Sequence, residues 1–530
     1  MGTISRRKFG KTVLSGMIAS GALARPSSSK GAILKRPNIL FICSDQHSGP
    51  MLMGGPEEVV PVRTPNLKRL ASMGVHFENT YCVDPVCTPS RASLMTGRFA
   101  SDVGSYCNST PFDGRVPTWG NYLQQAGYFC WATGKMDLTS KADLGFKQVH
   151  TSHGHFEHPD ITSLFRRPMC YRVDERRQVD GKVEERGKHD HGVLAAGLEF
   201  LRTEAKNAGK PWAAYLGFVM PHPPFGVPQK YWDLYPPDQV RMPNVPPGYL
   251  ETLTLGFQVL RNFKMISTPV PEDRIRRARS AYYGMITELD GLIGELLDEL
   301  EETSQLENTL VVYTSDHGEM LGEHGLWLKN NLLEGAVRVP LIMAGAGLPR
   351  GMSIETPVSH VDLVATLLEF GGVSGTDGLR GRSLLPLTQG VKAAHPEFIY
   401  AESNSEGNCT GSFMIRKGDW KYIYFSLYGD RLLFNLQEDP GEMNNLVDKP
   451  AYASRVQELH TLLISLVDPD AITEAAFRKQ HQVLINMVQS KTPDEFFHTL
   501  RGRLGRGQAS TLTRKYYRNW QPGPAGADTP

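Results

Sequence analysis

"PNILFICSD", residues 37 to 45, is an unbroken apolar, β-branched run that ends on an acid. Apolar side chains at both parities exclude a strand with one wet face, so the run reads as a buried parallel strand. Downstream, "TPNLKRLASMG" reads as a helix with Thr64 as N-cap and Pro65 in the first helical position. "PTWGNYLQQAG" then "YFCWATGK", and "GVLAAGLEFLRTE" then "PWAAYLGFVMPHPPF", repeat the helix-then-strand rhythm. In "RARSAYYGMITELDGLIGELLDELEE" apolar residues fall at 282, 285, 286, 289, 292, 293, 296 and 297, a helical stripe, and "TLVVYTSDHGE" follows as another buried strand. "VPLIMAG" and "VDLVATLLEFGG" close the series. The alternation predicts an α/β fold, a doubly wound, mostly parallel sheet flanked by helices. Ligands of such sheets sit beyond the carboxyl ends of the strands. That rule selects Asp45, Gln46, Lys135, His222, Asp316 and His317.

From residue 391 the texture changes. Short alternating segments such as "SFMIRKGDWKYIYF" and the helix-like "YASRVQELHTLLISLV" predict a smaller antiparallel sheet plus a helix over 391–467. Residues 37–390 form the expected catalytic domain. The extension 468–530 ends in a Gly-rich stretch with Arg501, Arg503, Arg506, Arg514, Lys515 and Arg518, read as an extended basic arm that either packs on its own or a neighbouring subunit or binds a polyanion. At the other end, Arg6-Arg7 before an apolar run closing on Ala22-Leu23-Ala24 resembles a bacterial twin-arginine export signal (1–24), followed by a linker (25–36). The expected location is periplasmic or secreted. No run is long enough for a membrane span. A net charge of +1 leaves no global attraction for nucleic acid. The seven cysteines lack CxxC pairs, which argues against a disulfide framework or a zinc site and for one cysteine with a chemical role.

That cysteine is Cys87, in "PVCTPSRASLMTGR" (85–98). Cys-Thr-Pro-Ser-Arg with a following Thr-Gly-Arg resembles the signature of formylglycine-dependent sulfatases of the alkaline phosphatase superfamily. "FICSDQ", "TGKMD", "MPHPPF", "YTSDHGE", "LKNNLLEGAVRVPLI" and "LFNLQEDPGEMNNL" follow the order of that family, over roughly residues 37 to 449. The resemblance implies that a formylglycine-generating enzyme converts Cys87 before export. The product is an aldehyde that hydrates to a diol. One diol oxygen attacks sulfur and the second expels sulfate, splitting one hard step into two.

By the same resemblance Asp45, Gln46, Asp316, His317 and residue 87 hold one divalent cation, and their oxygen-rich donors favour Ca²⁺ over zinc. Arg91 balances charge. Lys135, His222 and Lys329 surround the sulfate, with His222 a candidate to protonate the leaving alcohol. Gln46 stands where many relatives carry a second Asp. Asp137 stands where many carry a histidine, and either Asp137 or another residue is left to act as base. Gly134-Lys135-Met136-Asp137 and "AESNSEGNCTGSFMIRKGDWKYI" resemble the arylsulfatase K-like, glucuronate-2-sulfatase branch and, for the latter stretch, choline sulfatases.

The expected substrate is therefore a 2-O-sulfated uronic acid of a sulfated polysaccharide such as a glycosaminoglycan. Rival readings are another sulfate ester (choline or aryl), a phosphonate monoester or phosphodiester hydrolase on the same scaffold, and an unmodified sulfoglycan-binding protein. A homo-oligomer is left open. Specificity is expected to depend on loops such as the His- and Arg-rich stretch 138–190, whose side chains either grip a carboxylate or, for most of them, form a solvated surface.

Overall fold

The computed structural model describes residue 33 and residues 36–52, 60–166, 169–374, 377–391 and 395–521. The export-signal reading of 1–24, almost all of the linker and the last nine residues lie outside these.

An eight-stranded sheet is built from β1 (Asn38–Ser44), β2 (Gly74–Phe77), β3 (Phe129–Lys135), β4 (Lys147–Ser152), β5 (Trp212–Gly217), β6 (Thr309–Ser315), β7 (Leu341–Ala344) and β8 (Met352–Ile354). Their spatial order is β8-β2-β7-β6-β1-β5-β3-β4. β7 runs antiparallel to both neighbours and all other pairings are parallel, so the sheet is mostly parallel as expected. β1 lies between β5 and β6 and is fully enclosed. Leu40 and Ile42 enter one core layer, while Ile39, Phe41 and Cys43 enter the other. The first layer is closed by α2 (Lys188–Phe200) and α3 (Glu272–Glu302), whose whole predicted stripe is buried. The second is closed by α1 (Cys87–Thr96) and α4 (His360–Phe370). This two-sided burial is why the strands read as continuous apolar runs. Thr64 does precede a helix, but its hydroxyl donates to the Leu52 carbonyl at 2.7 Å instead of capping.

β9 (Phe398–Ser403), β10 (Ser412–Lys417), β11 (Trp420–Phe425) and β12 (Arg431–Asn435) form the smaller antiparallel sheet, and α5 (Ala453–Leu466) packs on it. The chain then departs from expectation. In place of an extended arm, it forms α6 (Pro469–Ser490) and α7 (Pro493–Tyr516). Thr492 and Glu495 make a reciprocal capping box, with Pro493 in the first turn. Phe496, Phe497, Leu500 and Leu504 fill a satellite core with Ile161, Leu164, Phe165 and Phe263. Tertiary burial outweighs the low helix propensity of Gly502, Gly505 and Gly507, and α7 kinks where Gly505 takes φ 75°. Among the described residues, no helix is long and apolar enough to cross a membrane. The seven cysteines form no disulfide, and only Cys409 is even partly exposed.

β3 and β5 approach so closely that a Cβ on Gly217 would collide with the backbone of Lys135, and one on Gly134 with the Gly217 carbonyl. A register shift between Ala132 and Gly134 in the β3–β4 pairing completes the irregularity that aims Lys135 off the strand end. Gly217→Ala is expected to cost about 1–3 kcal/mol in urea unfolding, because the collision is with backbone that cannot turn aside.

Candidate active site

The carboxyl ends of β1, β3, β5 and β6 converge on the first turn of α1. Asp45 and Gln46 follow β1, Lys135 ends β3, His222 follows β5, and Asp316 and His317 follow β6. Cys87 is the first residue of α1. Donor atoms of Asp45, Cys87, Asp316 and His317 all lie within 4.8 Å of one another, and all four residues are buried. The Cys87 Sγ is 3.3 Å from His317 Nε2 and 3.9 Å from Asp45 Oδ1. Lys329 Nζ donates to Cys87 Sγ at 3.0 Å and to Gln46 Oε1 at 2.7 Å. Lys135 Nζ binds Asp45 and lies 3.2 Å from Asp137 Oδ2.

Arg91 is fully buried and ties the floor together. Its Nε donates to Asp316 Oδ2 at 2.8 Å, and its Nη1 to the Lys135 carbonyl and Tyr215 Oη, both at 2.7 Å. Its Nη2 lies 3.8 Å from Asp45 Oδ2. Gln46 sits at φ 71°, Asp137 at 53°, Leu328 at 64° and Asn330 at 78°, backbone that a non-glycine residue adopts only when its surroundings impose it. At Gln46 the imposition is visible. Its N–H donates to Asp316 Oδ1 at 3.1 Å, its carbonyl accepts from Tyr282 Oη at 2.7 Å, and its side-chain amide donates to Glu319.

The electrostatics divide the two carboxylates. Burial alone would raise Asp45, but the charges of Lys135, His222, Lys329 and Arg91 hold it well below the usual carboxylate range. Burial and the Asp45 charge push Asp316 up, only partly opposed by His317 and Arg91. Burial and Asp45 also work against a Cys87 thiolate, yet Lys135, Lys329 and His317 bring the thiol well below its ordinary value. Buried negative charge at neighbouring oxygens beside a cysteine and an imidazole is a donor set that a hard divalent cation fits.

His222 is half-buried, its ring Nδ1 2.6 Å from the Pro223 carbonyl oxygen and its charge felt at Asp45. Every residue singled out from the sequence is thus brought to one end of the sheet. The reading of 138–190 as mainly solvated surface needs correcting at His153, His155, Arg166 and Arg172, the two arginines being buried among hydrogen-bond partners. His153 is buried against Leu138 and Gln148. His155 faces Asp137, ring Nδ1 to Oδ2 at 2.7 Å. Sequence reasoning also passed over Glu319, Tyr282 and Tyr215, which brace Gln46 and Arg91. Only proximity in the fold marks them.

A family model described as "Sulfatase" matches residues 37–373, more than half of the chain. The chain belongs to the sulfatase family. A second model, for the C-terminal part of N-sulphoglucosamine sulphohydrolase, matches residues 322–468. The sulfatase is 34% identical to a choline-sulfatase of Rhizobium meliloti, over 78% of this chain and 83% of that one. It is 30% identical to arylsulfatase K of Danio rerio, over 86% and 88%. A solved phosphonate monoester hydrolase from Silicibacter pomeroyi superposes with a TM-score of 0.68 at 27% identity, covering 81% of this sulfatase and 94% of that chain. The sulfatase is accordingly a sulfuric ester hydrolase of the alkaline phosphatase superfamily.

Proposed function

We propose that this sulfatase removes sulfate from a 2-O-sulfated uronic acid in a sulfated polysaccharide or its oligosaccharides, with residue 87 converted to formylglycine. The observation that carries the reading is the meeting of Cys87 with Asp45, Asp316 and His317 within 4.8 Å, beside the Lys135 and Lys329 ammonium groups. When in place, Ca²⁺ and formylglycine supply a hard positive charge beside the sulfate and a two-oxygen nucleophile that both makes and breaks the ester. Asp45, Gln46, Asp316 and His317 would hold the cation. Lys135 and Lys329 bind sulfate oxygens, and their buried charge favours the anion over water. Arg91 fixes both carboxylates, and His222 gives a proton to the leaving oxygen. A twin-arginine signal in residues 1–24 would place conversion of Cys87 in the cytoplasm, before folded export to the periplasm.

The substrate class is supported by likeness to arylsulfatase K over nearly the whole chain and by Gly134-Lys135-Met136-Asp137. One observation favours a second reading, choline sulfate. Asp84, Glu402 and Glu406 are buried together, and Glu406 Oε1 accepts from the Asn108 amide, whose Oδ1 accepts from Thr88 N beside residue 87. Burial raises all three, Glu402 to about 7, and the Glu402 and Glu406 charges push Asp84 up further; a bound cationic alcohol would relieve that repulsion. The test is a rate panel of 2-O-sulfated uronate disaccharides, choline sulfate, an aryl sulfate and an aryl phosphonate, with mass spectrometry of the peptide containing residue 87. Fastest turnover of the disaccharide by converted enzyme is the expected result. Preference for choline sulfate selects the second reading, and a retained thiol in enzyme from its native host overturns both.

A further inference from the structure

Asp137, left open above as one candidate base, forms a dyad with His155. They are 18 positions apart, yet both Asp137 oxygens are engaged: Oδ1 accepts from the His155 backbone N–H at 3.2 Å, and Oδ2 faces the His155 ring Nδ1 at 2.7 Å. The Asp137 carboxylate is 1% exposed and its backbone N–H is pinned to the Ser152 carbonyl at 3.2 Å, so the acceptor is rigid. A carboxylate on Nδ1 fixes the ring tautomer and leaves the Nε2 lone pair available, the base-and-orienter arrangement of many hydrolases. Among the described residues, His155 Nε2 has no hydrogen-bond partner, and the side chain is 24% exposed. The same Asp137 Oδ2 lies 3.2 Å from Lys135 Nζ, which places the dyad against the sulfate-binding cations.

We propose that His155, oriented by Asp137, is the proton acceptor of the desulfation step. This rests on the formylglycine reading. His155 Nε2 takes the proton of the hydroxyl on the residue-87 carbon that also bears the ester oxygen. The O–H electron pair becomes the second bond of a carbonyl, the carbon–oxygen bond to sulfate breaks with its electrons, and sulfate leaves.

The ring touches Asp137 and feels the charges of Lys135 at the end of β3, of residue 87 on α1 and of Asp160, which Arg172 and Arg503 hold. Burial lowers the His155 pKa and Lys135 opposes its charge, but Asp137 and the Cys87 charge outweigh both and raise it. Removing the Asp137 charge must therefore move the pKa down.

Two measurements test the assignment. In the unconverted protein, NMR titration of the His155 ring should show a proton on Nδ1, a free Nε2, and a pKa that falls in Asp137→Asn. In converted enzyme, His155→Ala should lower steady-state turnover about 10²- to 10⁴-fold. It should release the first equivalent of alcohol in a burst, accumulate the sulfated residue-87 peptide and regain rate with added imidazole. His155→Gln should behave alike if the loss is of a base and not of packing. The acid limb of the pH–rate profile, which rises as the base loses its proton, should move to lower pH in Asp137→Asn. Unchanged turnover in His155→Ala overturns the assignment, as does a loss without burst, sulfated peptide or imidazole rescue. A wild-type enzyme that carries the unconverted thiol and cleaves no sulfate ester instead overturns the formylglycine reading while leaving the ring titration to be read on its own.

Discussion

Cys87→Ala is expected to abolish turnover, a fall on the order of 10⁶-fold, while unfolding free energy should shift by no more than about 1.5 kcal/mol. The two effects separate because of where the residue sits. Its side chain is fully buried, yet it faces Asp45, His317 and Lys329 and belongs to none of the apolar clusters. Truncation removes one polarisable atom from a polar floor. Lys329 keeps Gln46 as an acceptor at 2.7 Å, and Lys135 keeps Asp45. Steady-state rates on an aryl sulfate, paired with urea unfolding, check both halves. Activity in that variant within tenfold of wild type would remove residue 87 from the chemistry.

Arg91→Ala has the largest expected effect on stability, about 3–5 kcal/mol. Arg91 and the two carboxylates it serves are 0% exposed, with Nε 2.8 Å from Asp316 and Nη2 3.8 Å from Asp45. Its removal leaves Asp316 without its guanidinium partner and Tyr215 Oη without its donor, and leaves the Lys135 carbonyl only the Tyr215 hydroxyl at 3.2 Å. The urea midpoint should fall with the m-value unchanged. Added Ca²⁺ should recover part of the loss, since a cation between Asp45 and Asp316 would do some of the arginine's work. Arg91→Lys should recover less than half, because a single ammonium cannot reach all these groups. A measured loss below about 1 kcal/mol would mean that the carboxylates are satisfied in some other way.

The main sheet and the reacting end of the molecule were legible because one rule served both. Apolar runs such as 38–44 and 309–315 locate enclosed strands, and the polar residues that end them must lie where ligands bind. Asp45, Lys135, Asp316 and His317 follow from that rule, and Cys87 from its flanking motif. His155 does not follow, because it sits on a single helical turn, Gly154–Glu157, in an irregular segment without periodicity. Its partner is chosen by how the loop after β4 folds back, which no local pattern encodes. Tyr215 and Tyr282 read as ordinary core, and only their hydroxyl partners distinguish them. The basic, glycine-containing end of the chain misled for a related reason. Its charges were conspicuous, whereas Phe496, Phe497, Leu500 and Leu504, spaced for one helical face, carry the fold.

That last pair of helices lies beyond both family models, which stop at residues 373 and 468. Arg503 reaches back to Asp160 at 2.9 Å. Gln480 reaches the Asn404 carbonyl at 2.9 Å, and so does Arg166 at 2.8 Å. Everything they grip is synthesised earlier. A nascent sulfatase therefore owns all the residues gathered around Cys87 while Asp160 and Asn404 still await partners from the chain after residue 468. Natural variation confined to that late-arriving clamp could shift the Asp160 and Asn404 segments without altering any residue gathered around Cys87.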